Sequence, residues 1–66
     1  MIFSERLVKA RKDKGFTQSD VAEKLNVSFQ AVSLWERGET TPDIEKLSDI
    51  AALYHVTTDW LLGGVE

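Results

Sequence analysis

Cysteine is absent from the 66-residue sequence, and histidine occurs only once. The absence of cysteine excludes disulfide bonds and cysteine-based zinc sites, and it is typical of proteins from a reducing compartment. A domain this short buries only about 60% of the surface of its unfolded chain, so its stability must come from well-packed helices, assembly or a partner. We expect a single domain over residues 1–66, without a metal or a cofactor.

Long apolar runs are also absent. The longest uninterrupted run, Ile50 to Tyr54, has five residues, whereas about 20 are needed to cross a bilayer. The first residues lack the basic segment and the apolar segment of a secretory signal. These absences predict a cytoplasmic protein without membrane association.

The residues that catalysis usually needs are scarce. His55 has no cysteine nucleophile and no cluster of metal ligands to accompany it. Gly15 and Gly38 stand singly and Gly63–Gly64 is an isolated pair, so we expect no glycine-rich loop for phosphate. We therefore expect a protein that is not an enzyme and has no evident small-molecule ligand.

Charge is present in both signs but is unevenly distributed. The net charge is −3 at pH 7, yet residues 1–38 carry a net +2 and residues 39–66 a net −5. Considered alone, these charges favour ordinary solvated helix faces. The alternative is that the positive half of the chain faces phosphate.

Cap and turn residues divide the chain into short helices, and no segment shows the alternation of a strand. Gly15 is expected to end the first helix, because glycine adopts the left-handed conformation at low cost. Thr17, followed by Asp20, predicts a capping box at the start of the second helix. Asn26 is expected to end that helix, and Ser28 to cap the third.

The second half of the chain has the same pattern. Thr41 is expected to cap the fourth helix and Pro42 to be its first residue. The apolar stripe of this helix, predicted to face the core, comprises Ile44, Leu47, Ile50, Ala51 and Tyr54. Thr57 is expected to cap a short fifth helix. The predicted fold class is all-α, a compact bundle of five short helices.

The third helix has two chemically different faces at 100° per residue. Its inward face comprises Ser28, Ala31, Val32 and Trp35. Its outward face comprises Gln30, Ser33, Leu34 and Arg37, with Phe29 at the edge. A solvated face would be richer in lysine and glutamate. An amide can instead bond adenine and an apolar group can contact a thymine methyl, although partial burial is the ordinary alternative for the two apolar residues.

Helices two and three together have the features of a helix-turn-helix. The turn at Asn26 is short, and the small Ala22 permits close approach. The stretch from Gly15 to Ser28, followed by Val32 to Gly38, resembles the lambda-repressor-like (Cro/Xre) helix-turn-helix family. The resemblance continues through Pro42 and the segment from Val56 to Leu62, so it covers nearly the whole chain.

The resemblance implies which residues contact DNA. The base-reading positions of the family correspond to Ser28, Phe29, Gln30, Ser33 and Leu34. Gln18 matches the glutamine that lies against the DNA backbone at the start of helix two. Arg37, Thr40 and Thr41 match further backbone-contacting segments. Lys9, in the positive half of the chain, is an additional candidate for a phosphate contact.

The family also pairs an arginine late in helix one with a glutamate late in helix three. These positions correspond to Arg11 and Glu36, which we interpret as a structural ion pair that orients helix three. The chain departs from the family pattern at Asn26, where glycine is common. It also departs at Phe29 and Leu34, where polar residues are common.

The implied function is sequence-specific binding of double-stranded DNA by a transcriptional regulator. A repressor is favoured over an activator, acting as a homodimer on a palindromic operator with helix three in the major groove. Candidate dimer contacts, for which burial in the core is the alternative, are Tyr54, Trp60, Leu62 and Val65. The competing hypothesis is a protein-interaction module that binds another regulator through the acidic half of the chain.

Overall fold

A computed structural model describes residues 2–64 of the chain. It contains five helices: α1 (Ile2–Asp13), α2 (Gln18–Leu25), α3 (Phe29–Glu36), α4 (Ile44–Tyr54) and α5 (Thr58–Leu61). No strand occurs between residues 2 and 64. The predicted all-α class with five short helices is therefore confirmed.

The core is built from one face of every helix. Its buried hydrophobic side chains are Phe3, Leu7, Ala10, Val21, Ala22, Leu25, Val32, Trp35, Ile50, Ala51, Tyr54 and Leu61. Val21, Val32, Ile50 and Leu61 come from four different helices and are at most 1% exposed. Burial of such side chains is the dominant favourable term in folding, so each short helix is stabilised mainly by its neighbours.

Local capping determines where α2 and α3 begin and end. The Thr17 side chain accepts a hydrogen bond from the Asp20 N–H, and the Asp20 carboxylate accepts one from the Thr17 N–H, as the capping box requires. Asn26 ends α2 in the left-handed conformation, with φ of 58°, and Ser28 caps α3. Gly15 has φ of 76°. The predicted cap and end residues of this region are confirmed.

The prediction for the start of α4 is wrong. Asp43, and not Thr41, is the N-cap, and its carboxylate accepts a hydrogen bond of 2.8 Å from the Lys46 N–H. Pro42 consequently precedes the helix and is not its first residue. A carboxylate is a strong N-cap and also favours the positive end of the helix dipole.

The predicted apolar stripe of α4 is also wrong at its first position. Ile44 is 86% exposed, whereas Ile50, Ala51 and Tyr54 are buried. Leu47 packs against the core while partly buried. Ile44 is the first residue of the helix, so no preceding turn of α4 is present to cover its side chain.

Two long side chains connect helices that are distant in sequence. Lys46 Nζ donates a 3.0 Å hydrogen bond to the Leu25 carbonyl, which lies at the end of α2. Arg6 in α1 donates to the Trp60 and Gly64 carbonyls and stacks over the Trp60 ring at 4.7 Å. These contacts satisfy carbonyls at helix ends and fix α4 and α5 against the rest of the bundle.

No helix between residues 2 and 64 combines the length and the apolar character needed to cross a membrane.

Candidate nucleic-acid interface

The outward side of α3 forms one continuous surface. At 100° per residue, its five side chains lie within an arc of about 140°; they are Phe29, Gln30, Ser33, Leu34 and Arg37. Phe29 is 49% exposed, Gln30 and Arg37 are also exposed, and Ser33 and Leu34 are half-buried. The opposite side, with Val32 and Trp35, is buried. Burial thus separates the helix into a core face and a face that combines an amide, a hydroxyl, a guanidinium and apolar groups.

Ser28 differs from its place on the helical wheel. The wheel assigns it to the inward face, but it is exposed because it precedes the helix as the N-cap. Its Oγ accepts a 3.1 Å hydrogen bond from the Ala31 N–H. The hydroxyl can still donate its own proton, so a role in contacting bases remains a prediction.

The carboxylate of Glu36 lies at the junction of three helices. Arg11 Nε donates to Oε2 at 2.8 Å, and Arg11 Nη2 donates to Oε1 at 3.1 Å. The two side chains are only 12% and 5% exposed. A bidentate pair of this kind fixes orientation as well as charge. The side-chain hydrogen bond to Glu36, and its charge, raise the pKa of Arg11.

Gln18 extends this junction to the start of α2. Its Nε2 donates a 2.9 Å hydrogen bond to Oε1 of Glu36, so the amide is held in place while Gln18 occupies the first position of α2. Backbone N–H groups at a helix start attract anions such as phosphate. The same glutamate therefore positions both the outward α3 surface and the N-terminal turn of α2.

The other predicted backbone contacts lie after α3 or on α1. Arg37 Nε lies 3.4 Å from the Glu39 carboxylate, with both side chains more than half exposed. Thr40 and Thr41 are exposed in the following loop. Lys9 Nζ lies 3.1 Å from the Asp13 carboxylate on the exposed side of α1.

The candidate dimer contacts differ in exposure. Tyr54 is buried in the core, so this prediction of an interface residue is wrong. Trp60 is half-buried beneath Arg6, whereas Leu62 is 61% exposed. Val65 lies outside the described residues.

Ile2 and Arg6, which lie at this end of the fold, were not identified from the sequence. Ile2 is half exposed, and Gly63 lies beside it, because a Cβ added there would come within 3.1 Å of Ile2 Cγ2. Ile2 therefore adjoins the segment that carries Leu62. Arg6 was missed because its partners lie 54 and 58 residues away in sequence, and no local pattern records such a contact.

Side chains that could bind a metal ion do not cluster among the described residues. Residues 2–64 contain no group of three or more histidine, cysteine, aspartate or glutamate side chains arranged to hold an ion.

Comparison with known proteins identifies a family of DNA-binding regulators. A family model described as helix-turn-helix matches residues 7–61. Over 66 residues the chain is 43% identical to the HTH-type transcriptional regulator ImmR of Bacillus subtilis, covering all of this chain and 52% of that protein. It is 44% identical over 66 residues to the HTH-type transcriptional activator BcrR of Enterococcus faecalis, of which it covers 32%. The chain thus spans about half or less of the length of these two relatives.

A solved structure is similar over the whole described fold. The P22 c2 repressor protein, in complex with the synthetic operator 9T, superimposes with a TM-score of 0.91 at 32% sequence identity. The match covers 98% of this chain and 98% of that one. The similarity therefore extends across all five helices.

Proposed function

The chain belongs to the helix-turn-helix family of Cro/C1-type transcription regulators, and from this premise we propose that it binds a palindromic DNA operator as a homodimer and represses transcription. In this proposal residues 1–66 form the DNA-binding domain, and the protein acts in the cytoplasm without catalysing a reaction. The family is one of DNA-binding regulators and not of enzymes.

One observation carries the proposal: the outward side chains of α3 are exposed or only half-buried, and none of them belongs to the buried core. Gln30 is exposed there, beside Phe29, which is 49% exposed. A helix fits the major groove, and amide side chains distinguish base pairs by bidentate hydrogen bonds. Base discrimination is assigned to this surface, comprising Ser28, Phe29, Gln30, Ser33 and Leu34.

Backbone contacts set the position of α3 in the groove. Gln18 and the N-terminal turn of α2 are assigned to one phosphate, because that helix end carries unpaired N–H groups. Arg37, Thr40 and Thr41 are assigned to the backbone beyond the end of α3. Lys9 is assigned to a phosphate beside α1. Phosphate contacts fix register while base contacts supply specificity.

Dimerisation would join two copies through the end that carries α5. Leu62 is 61% exposed, and the half-exposed Ile2 adjoins the segment that carries it. A two-fold contact uses the same patch on both copies. It would place two α3 helices about 34–36 Å apart on one side of the duplex.

Selection of the protein against a random double-stranded DNA library at moderate salt tests the proposal. We expect enrichment of a palindrome whose half-sites are centred about one helical turn apart. Failure to enrich any sequence, even at lowered salt, would contradict autonomous operator binding.

Variants of the enriched site define the role of α3. Gln30→Ala is expected to weaken binding by about 1–3 kcal/mol and to relax preference at one base position of each half-site. The measurement is a binding series over all single base changes. Glu45→Gln, on the exposed side of α4, is the matched control and should leave the base preferences unchanged. An unaltered preference in Gln30→Ala would remove this residue from the base-reading set.

The protein-interaction hypothesis retains one observation in its favour. Ile44, on α4, is 86% exposed and lies within the acidic half of the chain, residues 39–66. If binding another regulator were the main activity, Leu62→Ser or Ile44→Ser would abolish it, while Gln30→Ala and Ser33→Ala would have no effect. Operator binding predicts strong effects of the two α3 variants.

A further inference from the structure

Phe29 is an aromatic side chain that the fold leaves half exposed. It occupies the first position of α3 and is 49% exposed, whereas Phe3 is 8% exposed. Phe16 packs against the core while partly buried, and Lys24 Nζ lies 5.2 Å from its ring. Phe29 is thus the phenylalanine of this chain that contributes least to the core.

The position of Phe29 restricts what its ring could contact. The N-terminal residues of a recognition helix are the ones that reach base edges. Gln30 follows directly and is also exposed. In the major groove the base edges present hydrogen-bonding groups and a single apolar group, the 5-methyl of thymine. A phenyl ring has no hydrogen-bonding atom, so it can gain free energy there only by covering that methyl.

We propose that Phe29 reads the 5-methyl group of a pyrimidine in each half-site, next to the base contacted by Gln30. This inference rests on the proposed function and adds the chemistry of one base position to it. In unmodified DNA the pyrimidine that carries a 5-methyl group is thymine. A 5-methylcytosine presents the same methyl at the same edge, so binding at this position responds to cytosine methylation as well.

Leu34 is the alternative apolar reader on this surface. It is only half-buried, but it lies five residues further along α3, away from the N-terminal end of the helix. Its carbonyl also accepts hydrogen bonds from the Glu39 and Thr40 N–H groups, at 3.0 and 3.5 Å. These contacts place Leu34 where the chain leaves the helix, which favours Phe29 as the methyl reader.

The test uses the palindromic duplex recovered by selection, resynthesised with each thymine replaced in turn by deoxyuridine, which lacks only the methyl. At one position in each half-site, this replacement should weaken binding of the unmodified protein about fourfold, which is the effect of losing one buried methyl group. Phe29→Ala should bind the thymine and deoxyuridine duplexes with equal affinity. Because Phe29 is half exposed, this variant should fold, which the helical circular dichroism signal checks.

A gain of binding provides the second arm. The same position is changed to a cytosine–guanine pair, with and without a 5-methyl on the cytosine. The unmodified protein should bind the methylated duplex about fourfold more tightly, and Phe29→Ala should not distinguish the two. Leu34→Ala tests the alternative reader. It is expected to weaken binding to every duplex, because Leu34 belongs to the same proposed surface, but it should retain the fourfold ratio in both comparisons.

The outcomes separate this inference from the proposed function. If a palindrome is enriched but no deoxyuridine substitution weakens binding, or the effect survives in Phe29→Ala, methyl reading by Phe29 is wrong while operator binding stands. Loss of the effect in Leu34→Ala alone would also overturn it by assigning the methyl to Leu34. If no sequence is enriched at all, both the proposed function and this inference fail.

Discussion

At the scale of single residues, the buried side chain of Glu36 links three helices. Its carboxylate accepts two hydrogen bonds from Arg11 and one from Gln18. Arg11 Nη1 in turn donates to the Phe16 carbonyl at 2.9 Å. One acidic side chain therefore joins α1, the start of α2 and the end of α3. The position of the proposed reading surface relative to the proposed phosphate contact depends on it.

We expect Glu36→Ala to lower the free energy of unfolding by about 3–5 kcal/mol, because it leaves the buried guanidinium of Arg11 without its counter-charge. Urea unfolding followed by circular dichroism measures the change. Since a 66-residue domain has only about 3–10 kcal/mol of stability in total, Glu36→Gln is the second variant. It keeps the shape and one acceptor, and it should lose less.

A matched double variant isolates the pair itself. Arg11→Met combined with Glu36→Leu removes both charges, so it should destabilise the fold less than Glu36→Ala alone. A loss below about 1 kcal/mol for Glu36→Ala would place this pair among ordinary surface ion pairs and would contradict its role in orienting α3.

At the scale of the helix, the capping box of α2 couples stability to pH. The backbone and side-chain hydrogen bonds with Thr17 lower the pKa of Asp20. A carboxyl whose pKa is lower in the folded state stabilises the fold above its unfolded pKa, near 3.9. This stabilisation is lost as the pH falls through the lower folded value.

The Asp20→Asn variant tests this coupling. It should be less stable than the unmodified protein at pH 6, and the difference should shrink as the pH is lowered below about 4. Thermal unfolding at a series of pH values measures it. Glu23→Gln, an exposed acid on the same helix outside the capping box, is the control. A difference for Asp20→Asn that does not depend on pH would show that the carboxylate charge has no part in the cap.

The helices also show what sequence can and cannot predict. The ends at Gly15 and Asn26 and the caps at Thr17 and Ser28 were predictable, because each depends on backbone and side chains within a few residues. The start of α4 was mispredicted because Thr41 and Asp43 are both residue types that cap helices. The residue that caps α4 is Asp43.

Contacts between distant segments lay beyond local patterns. The hydrogen bonds of Arg6 to the α5 end span more than 50 residues. The burial of Tyr54 and the exposure of Ile44 depend on which helices pack against each end of α4. For the proposed interface, periodicity identified the outward side of α3, and only the family resemblance indicated Arg11 and Glu36 as partners.

At the scale of the whole molecule, the net charge of −3 opposes DNA binding unless the charges are segregated. Residues 1–38 carry the net positive charge and also contain α1, α2 and α3. Residues 39–66, with α4 and α5, carry the excess of acidic residues. We therefore expect weak non-specific binding with few phosphate contacts, and a shallow dependence of affinity on salt.

Lys9→Ala tests whether segregation or overall charge governs binding. If Lys9 contacts phosphate, the variant should bind operator and random duplexes more weakly to the same degree, and the slope of log affinity against log salt should fall by about 1 per protomer.

Asp13→Asn should act in the opposite direction, because the Asp13 carboxylate lies 3.1 Å from Lys9 Nζ and competes with phosphate for it. Glu45→Gln raises the net charge by the same single unit on α4. It should change neither affinity nor slope if local placement decides, whereas a strengthening equal to that of Asp13→Asn would show that only the total charge matters.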